Sequence, residues 1–115
     1  MKKIRFGMSY KSGDIVLVKF PFTNLKKSKK RPVLVIKNES NFNDIVCFQI
    51  TSNAYQSSLL KIDEEYFKEN KLPLTSYIKY DKCFTLSSEI VDKKLTSLNQ
   101  DILNYLKELF CKEIF

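Results

Sequence analysis

The chain has 115 residues with no His or Trp, only two Gly and three Cys, and its formal net charge is +7. This length predicts one domain over 1–115, and a hydrophobic content of 43% excludes a disordered protein. Without His, the Ser-His-Asp and Cys-His catalytic arrangements lack their general base, and a structural zinc ion has almost no ligands. We therefore expect neither a metal nor another cofactor.

The positive charge is concentrated in the first third of the chain. Residues 1–37 contain eleven bases and one acid, Asp14, for a net charge of +10, whereas the rest is −3. The cluster is densest at 26–31, between two apolar runs. A localised positive surface attracts polyanions through phosphate contacts, so nucleic acid is the first partner that this sequence predicts.

The first half of the chain predicts consecutive strands. Gly13-Asp14 is a turn signal, and the apolar, β-branched run 15–20 after it predicts a strand that Pro21 ends. A polar connector over 23–30 leads to the run 32–36, which is typical of a strand buried on both faces. These two strands are predicted neighbours. Two further strands are predicted at 45–50 and 59–62.

The second half predicts two short strands, at 76–80 and 83–86, and a terminal helix. Acidic residues at 63–65 favour one or two helical turns before Pro73. Ser97 and Gln100 form a capping-box pattern at the start of the last segment. Its apolar residues recur at helical spacing: Leu98, Ile102, Leu106, Leu109 and Phe110. Together these elements indicate a compact antiparallel barrel or sandwich with the helix over an open face.

Two other features indicate a protein of the cytoplasm. No segment near the N-terminus is apolar for long enough to form a signal peptide or a membrane span, so we expect a cytoplasmic protein with no membrane association. Cys47, Cys83 and Cys111 are widely spaced in apolar surroundings, which predicts buried, reduced thiols and no disulfide framework.

Two strings carry a resemblance to a known family. The string Gly-Asp-Ile-Val-Leu-Val-Lys-Phe-Pro-Phe-Thr at 13–23 and the string Lys-Arg-Pro-Val-Leu-Val-Ile at 30–36 resemble the opening of the MazF/PemK toxin-antitoxin ribonucleases. Ile50-Thr51-Ser52, Asp81 and a terminal helix follow in the order that this family shows. The likeness extends from Gly13 to the helix near Phe110.

The resemblance implies a mainly β fold, a small SH3-like antiparallel β-barrel with a short middle helix and a C-terminal amphipathic helix. It further implies a homodimer that cleaves single-stranded RNA, such as mRNA, sequence-selectively and without metal, and that an acidic antitoxin neutralises. The family's catalytic arginine falls on Arg31, its hydroxyl on Thr51, and the late carboxylate of some members on Asp81. The substrate-binding residues expected beside them are Thr23, Lys30, Ser52, Lys79 and Lys82.

The chain also departs from the family pattern. The connector 23–30 has no carboxylate, Lys82 stands where a glutamine is common, and Phe84 stands where an arginine is common. These differences leave the proton-transfer partner and the RNA sequence preference open.

The expected chemistry suits these residue types. Metal-free cleavage uses the RNA 2′-hydroxyl as nucleophile and needs its proton removed, the leaving 5′-oxygen protonated and the phosphate charge neutralised. Arg31 suits the last task because a guanidinium presents paired donors to phosphate oxygens and keeps its charge. Thr51 or Ser52 can donate a hydrogen bond to the phosphate, and Asp81 is the remaining candidate base.

Each assignment has a simpler structural interpretation. Arg31 could continue a solvated lysine cluster, Thr51-Ser52 could be a strand end that hydrogen-bonds the next turn, and Asp81 could belong to a surface ion pair. Phe20 and Phe22 could be core aromatics and not a stacking platform for bases. The alternative function is a non-catalytic SH3-like module that binds nucleic acid or protein, including a gyrase-inhibiting toxin.

Overall fold

The apolar runs of the first half form neighbouring strands. The computed structural model describes residues 9–21, 28–39 and 43–115. The first three strands are β1 (Asp14–Pro21), β2 (Ser28–Glu39) and β3 (Asp44–Thr51). The later elements are β4 (Leu59–Lys61), β5 (Tyr77–Ser87), β6 (Val91–Ser97) and the helix α1 (Gln100–Ile114).

All strand pairs are antiparallel, in the order β4-β5-β3-β2-β1-β6. The predicted mainly β class is therefore confirmed, as is the pairing of β1 with β2. Within the described residues β4 and β6 are edge strands that each pair with one neighbour, so the sheet is open and the expected barrel is not closed.

The two faces of the sheet carry separate cores, because side chains alternate between faces along a strand. We call the first the helix-side core, since residues of α1 complete it: Ile15, Leu34, Phe48, Ile50, Ile62, Ile78, Leu98, Ile102 and Leu106. The second is the opposite core: Tyr10, Val16, Val18, Val33, Val35, Ile45, Cys47 and Val91. In β2, Val33, Leu34 and Val35 are all buried, as the continuous apolar run predicts.

The predicted terminal helix is confirmed, but its cap is different. Asn99, and not Ser97, is the N-cap: its side chain accepts a hydrogen bond of 3.2 Å from the Ile102 amide. Ser97 instead pairs with Asp14 at the end of β6. The helix packs Phe110 edge-on against Phe48, with the ring centroids 5.1 Å apart. No helix in the described parts of the chain is long and apolar enough to cross a membrane.

Gly13 links the turn before β1 to β2 and to the junction between β6 and α1. Its amide donates to the Val35 carbonyl and its carbonyl accepts from the Leu98 amide, both at 2.8 Å. Its φ of +100° is in the region that favours glycine, and an added Cβ would lie 3.2 Å from the Leu98 carbonyl oxygen and from a methyl of Leu103.

Several predicted elements differ in extent. The polar connector is shorter than expected, because 28–30 belong to β2. The predicted strands at 76–80 and 83–86 are one strand, β5, with a bulge between them. The strand β6 was not predicted, and the acidic helical segment is one 3-10 turn, Glu64–Tyr66.

The three cysteines are free, but the prediction that all are buried is wrong for two of them. Cys47 lies in the opposite core, whereas Cys83 and Cys111 are exposed. Burial, and secondarily the charge of Cys83, raises the pKa of Cys47 to about 12. Cys47 is therefore an uncharged core residue at neutral pH. Since only the thiolate is reactive, this thiol has little reactivity.

We predict that Asn99→Ala lowers the free energy of unfolding by about 1 kcal/mol, because it removes the acceptor that caps α1. Asn99→Asp is the control, since it keeps the acceptor and loses only the long 3.5 Å hydrogen bond from Asn99 Nδ2 to the Glu65 carbonyl, and it should change stability by less than about 0.5 kcal/mol. Chemical denaturation of the three proteins measures the difference. Equal stability of Asn99→Ala and the native chain would contradict the cap assignment.

Candidate functional site

Arg31 lies on the face of the opposite core. In the β1–β2 register it pairs with Val18, a residue of that core, and it is two residues from Val33 on the same face. Unlike these valines, Arg31 is exposed. The apolar pattern of β2 therefore sets which side of the sheet receives the guanidinium.

A depression of about 290 Å³ opens beside Arg31, lined by Arg31, Pro32, Val33, Gln49, Lys82 and Phe84. It brings together two predicted site residues, Arg31 from β2 and Lys82 from β5. Gln49 adds an amide from β3 between them, and Phe84 adds an aromatic ring. Two cations, an amide and an aromatic surface at one concavity suit a ligand that combines a phosphate with a ring.

Thr51 lies beyond this depression at the end of β3. Because Val33 pairs with Gln49, alternation places Thr51 on the same sheet face as Gln49 and Arg31. Its Oγ1 accepts two hydrogen bonds, from the Asn53 amide at 3.0 Å and from Gln56 Nε2 at 3.3 Å. A hydroxyl has two acceptor lone pairs and one donor, so the Thr51 O–H remains available to donate.

Lys79 and Asp81 form an ion pair in β5, with 2.9 Å between Lys79 Nζ and Asp81 Oδ1. Lys79 Nζ also donates to the Ser57 carbonyl at 2.9 Å. The side chain of Lys79 is only 10% exposed and that of Asp81 is 32% exposed. The ion pair that was the simpler interpretation of Asp81 thus exists, but its lysine is buried and also holds the segment after β3.

The other predicted binding residues are in different situations. Lys30 Nζ is 3.1 Å from Asp92 Oδ2 in β6, so an acid already accompanies this cation. Ser52 is exposed and directly follows Thr51. Thr23 lies outside the described residues, as do Phe22, Lys26 and Lys27. The structure therefore groups Arg31 with Lys82 and, separately, Lys79 with Asp81.

Sequence reasoning missed the polar residues that organise Thr51 and line the depression. Gln56 follows Thr51 by five residues in a stretch that indicates only a polar turn, and the Ser57 carbonyl has no sequence signal. Gln49 could have been found, because the alternation of β3 places it on the face of Cys47.

Among the residues that the structure describes, no three His, Cys, Asp or Glu side chains are grouped so that they could hold a metal ion.

Comparison with known proteins gives the family. The model of the PemK-like, MazF-like toxins of type II toxin-antitoxin systems matches residues 11–113. The chain therefore belongs to this family, as the strings at 13–23 and 30–36 predicted. No curated protein sequence matches the chain significantly.

Solved structures share the fold. A MazF structure from Deinococcus radiodurans is 16% identical with a TM-score of 0.70, and a MazE-MazF structure from the same organism is 16% identical with a TM-score of 0.76. In both cases 92% of this chain and 96% of the other are covered. A mycobacterial endoribonuclease in complex with its cognate antitoxin is 15% identical with a TM-score of 0.69, covering 90% of this chain and 93% of the other.

We predict a measurable coupling between Lys79 and Asp81. In a double-mutant cycle with Lys79→Met and Asp81→Asn, the coupling free energy in unfolding should be about 1 to 2 kcal/mol, because Lys79 is buried.

The matched control is the pair Lys37–Glu39, which has the same 2.9 Å separation but whose lysine is 66% exposed. Its cycle, with Lys37→Met and Glu39→Gln, should give less than about 0.5 kcal/mol. Equal coupling in the two cycles would show that the burial of Lys79 does not matter.

Proposed function

We propose that this protein is an endoribonuclease toxin that cleaves single-stranded RNA, such as mRNA, sequence-selectively and without a metal ion. Family membership supports the toxin function, and two solved structures with this fold are described as mycobacterial endoribonucleases. The observation that carries the proposal is the convergence of Arg31 and Lys82, from separate strands, on one depression. Thr51 on the same sheet face adds a hydroxyl donor.

In this proposal Arg31 neutralises the scissile phosphate. When the 2′-oxygen attacks phosphorus and the 5′-oxygen departs, negative charge grows on the non-bridging oxygens. A guanidinium stabilises that charge with two parallel hydrogen bonds, and its position on a paired strand reduces reorganisation. Val18 and Val33, buried beside it, fix the backbone that carries Arg31.

Thr51 donates to the phosphate in this scheme and does not accept a proton. Both of its lone pairs are occupied by Asn53 and Gln56, so the hydroxyl is oriented as a donor. The 2′-hydroxyl proton must then go elsewhere, to the Asp81 carboxylate or to water, and a second proton must reach the leaving 5′-oxygen. Lys79 fixes the position of Asp81.

The depression also offers a basis for sequence selectivity. Gln49 carries both an amide donor and an acceptor, which can read the edge of a base, and Phe84 offers a surface for stacking. Lys82 adds a second cation for a neighbouring phosphate.

We predict that Arg31→Ala lowers the rate of RNA cleavage by about a hundredfold or more, because it removes a preorganised donor pair. The cleavage rate of Arg31→Lys should lie between the rates of the native chain and Arg31→Ala, since lysine keeps the charge without the planar fork. The assay uses purified protein and varied single-stranded RNAs in EDTA, where the native chain should remain active. Lys107→Ala, an exposed cation of α1, is the control and should cleave at the native rate.

Equal cleavage by the native chain and Arg31→Ala would defeat the proposed mechanism. Tight, salt-sensitive RNA binding without strand scission would instead favour the alternative of a non-catalytic binding module. Activity lost in EDTA and restored by a divalent cation would contradict the metal-free scheme.

The proposal includes a homodimer and an acidic antitoxin. A depression of about 290 Å³ is at the lower limit of ligand pockets, and a two-fold pairing would provide a longer surface for a polynucleotide. The antitoxin is supported by the family and by neighbours solved as MazE-MazF or antitoxin complexes. Its expected acidity complements the +10 charge of residues 1–37.

We predict that sedimentation at micromolar concentration gives twice the chain mass of 13.5 kDa, because the pairing would complete the binding surface. Measurement at increasing salt tests whether the association is apolar, since charge-driven pairing weakens with salt. A single species of 13.5 kDa that nevertheless cleaves RNA would overturn the dimer.

A further inference from the structure

The segment between β3 and β4 is an ordered polar turn, which we call the 51–58 turn. Thr51 Oγ1 accepts from the Asn53 amide, and Asn53 Oδ1 in turn accepts from the Tyr55 amide at 2.9 Å. Gln56 Nε2 also donates a hydrogen bond to Thr51 Oγ1. These bonds connect the backbone of Tyr55 to the same hydroxyl that we place at the phosphate.

The far end of the turn is also held. The Ser57 carbonyl accepts from the buried Lys79 ammonium, and the Ser58 carbonyl accepts from the Tyr80 amide at 3.1 Å. Ser58 Oγ donates to Glu113 of α1 at 3.1 Å. The turn is therefore attached to the sheet at both ends and to the helix.

This anchored turn presents one aromatic ring to solvent. Tyr55 is 97% exposed, compared with 53% for Tyr105 on α1. A ring this exposed contributes little to folding, since stabilisation follows the buried area. A ring on a fixed backbone can, however, bind a flat partner with little loss of conformational freedom.

We propose that Tyr55 stacks on a nucleobase of single-stranded RNA, next to the scissile phosphate. This inference rests on the proposed function and adds a substrate contact to it. Aromatic rings bind unpaired bases of single strands by stacking, which tolerates different bases.

The position of the turn supports this partner. Lys79 pairs with Gln49 in the sheet, so its side chain lies on the face of the depression, and it holds Ser57 there. Tyr55 follows Thr51 by four positions, which limits their Cα separation to about 14 Å. A strand whose phosphate meets Thr51 and Arg31 thus has neighbouring bases within reach of the Tyr55 side chain.

The kinetic experiment compares three variants on one cleavable RNA. Tyr55→Ala should raise KM by about 5- to 100-fold with little change in kcat, because stacking supports bound substrate and transition state alike. Tyr55→Phe should retain the native KM, since it keeps the ring. Tyr105→Ala, which removes an exposed tyrosine from α1, should also leave KM unchanged.

A binding experiment locates the contact. The chain contains no Trp, so Tyr55→Trp introduces a single indole, whose fluorescence should be quenched by a 2′-O-methyl oligoribonucleotide. That probe lacks the nucleophilic hydroxyl and stays intact. A set of such probes is then tested, each lacking the base at a different position. Only one of these missing bases should weaken binding to the native chain, and the same probe should bind Tyr55→Ala as tightly as the complete oligonucleotide does.

The outcomes separate this inference from the proposed function. RNA cleavage with an unchanged KM for Tyr55→Ala would overturn the stacking contact and leave the nuclease intact. Quenching at a defined base without cleavage of any RNA would support stacking and refute the nuclease. Tyr55→Ala could instead bind RNA as the native chain does but fail to form the dimer or to be inhibited by an acidic antitoxin. That result would assign the ring to a protein interface and overturn the inference.

Discussion

The placement of the candidate site depends on the burial of both faces of β2. Leu34 packs in the helix-side core, while Val33 and Val35 pack in the opposite core, and all three are almost inaccessible to solvent. Burial of each side chain of this size contributes about 1.5 to 3 kcal/mol to stability. A shift of the strand register by one residue would expose or misplace several of these side chains. The same slip would move Arg31 to the other side of the sheet. The hydrophobic cores thus fix the position of the cation.

The two faces of the sheet have different tasks as a result. The helix α1 covers one face through Ile102, Leu106 and Phe110, so it stabilises the sheet without approaching the depression. The opposite face has an apolar centre and polar residues near its rim, where Arg31, Gln49 and Lys82 meet. Substitutions under the helix should therefore act on stability, whereas substitutions at this rim should act on ligand binding.

Sequence patterns predicted the parts of this arrangement that depend on local alternation. The apolar runs of β1, β2 and β3 and the apolar stripe of α1 can be predicted, because the buried positions of each element follow a pattern within its own sequence. The strand β6 was missed because the exposed residues 92–94 make it read as polar, as is typical of an edge strand. The capping-box pattern predicts Ser97 as the cap because the pairing of Ser97 with Asp14, which takes it into β6, is non-local. The buried state of Lys79 likewise depends on Ser57, 22 residues away.

The bulge in β5 explains how one strand supplies two cations to the same face. Cys47 pairs with Phe84, but two positions further along β3, Gln49 pairs with Lys79, so residues 80–82 are extra. Because this number is odd, the alternation of β5 changes across the bulge. After the bulge even-numbered residues such as Phe84 face the opposite core, whereas before it the odd-numbered residue Lys79 lies on that face. An unbulged strand would place Lys82 opposite Gln49 and turn Lys79 to the helix side, away from the 51–58 turn. The insertion instead leaves Lys82 at the depression and directs Lys79 beneath the turn.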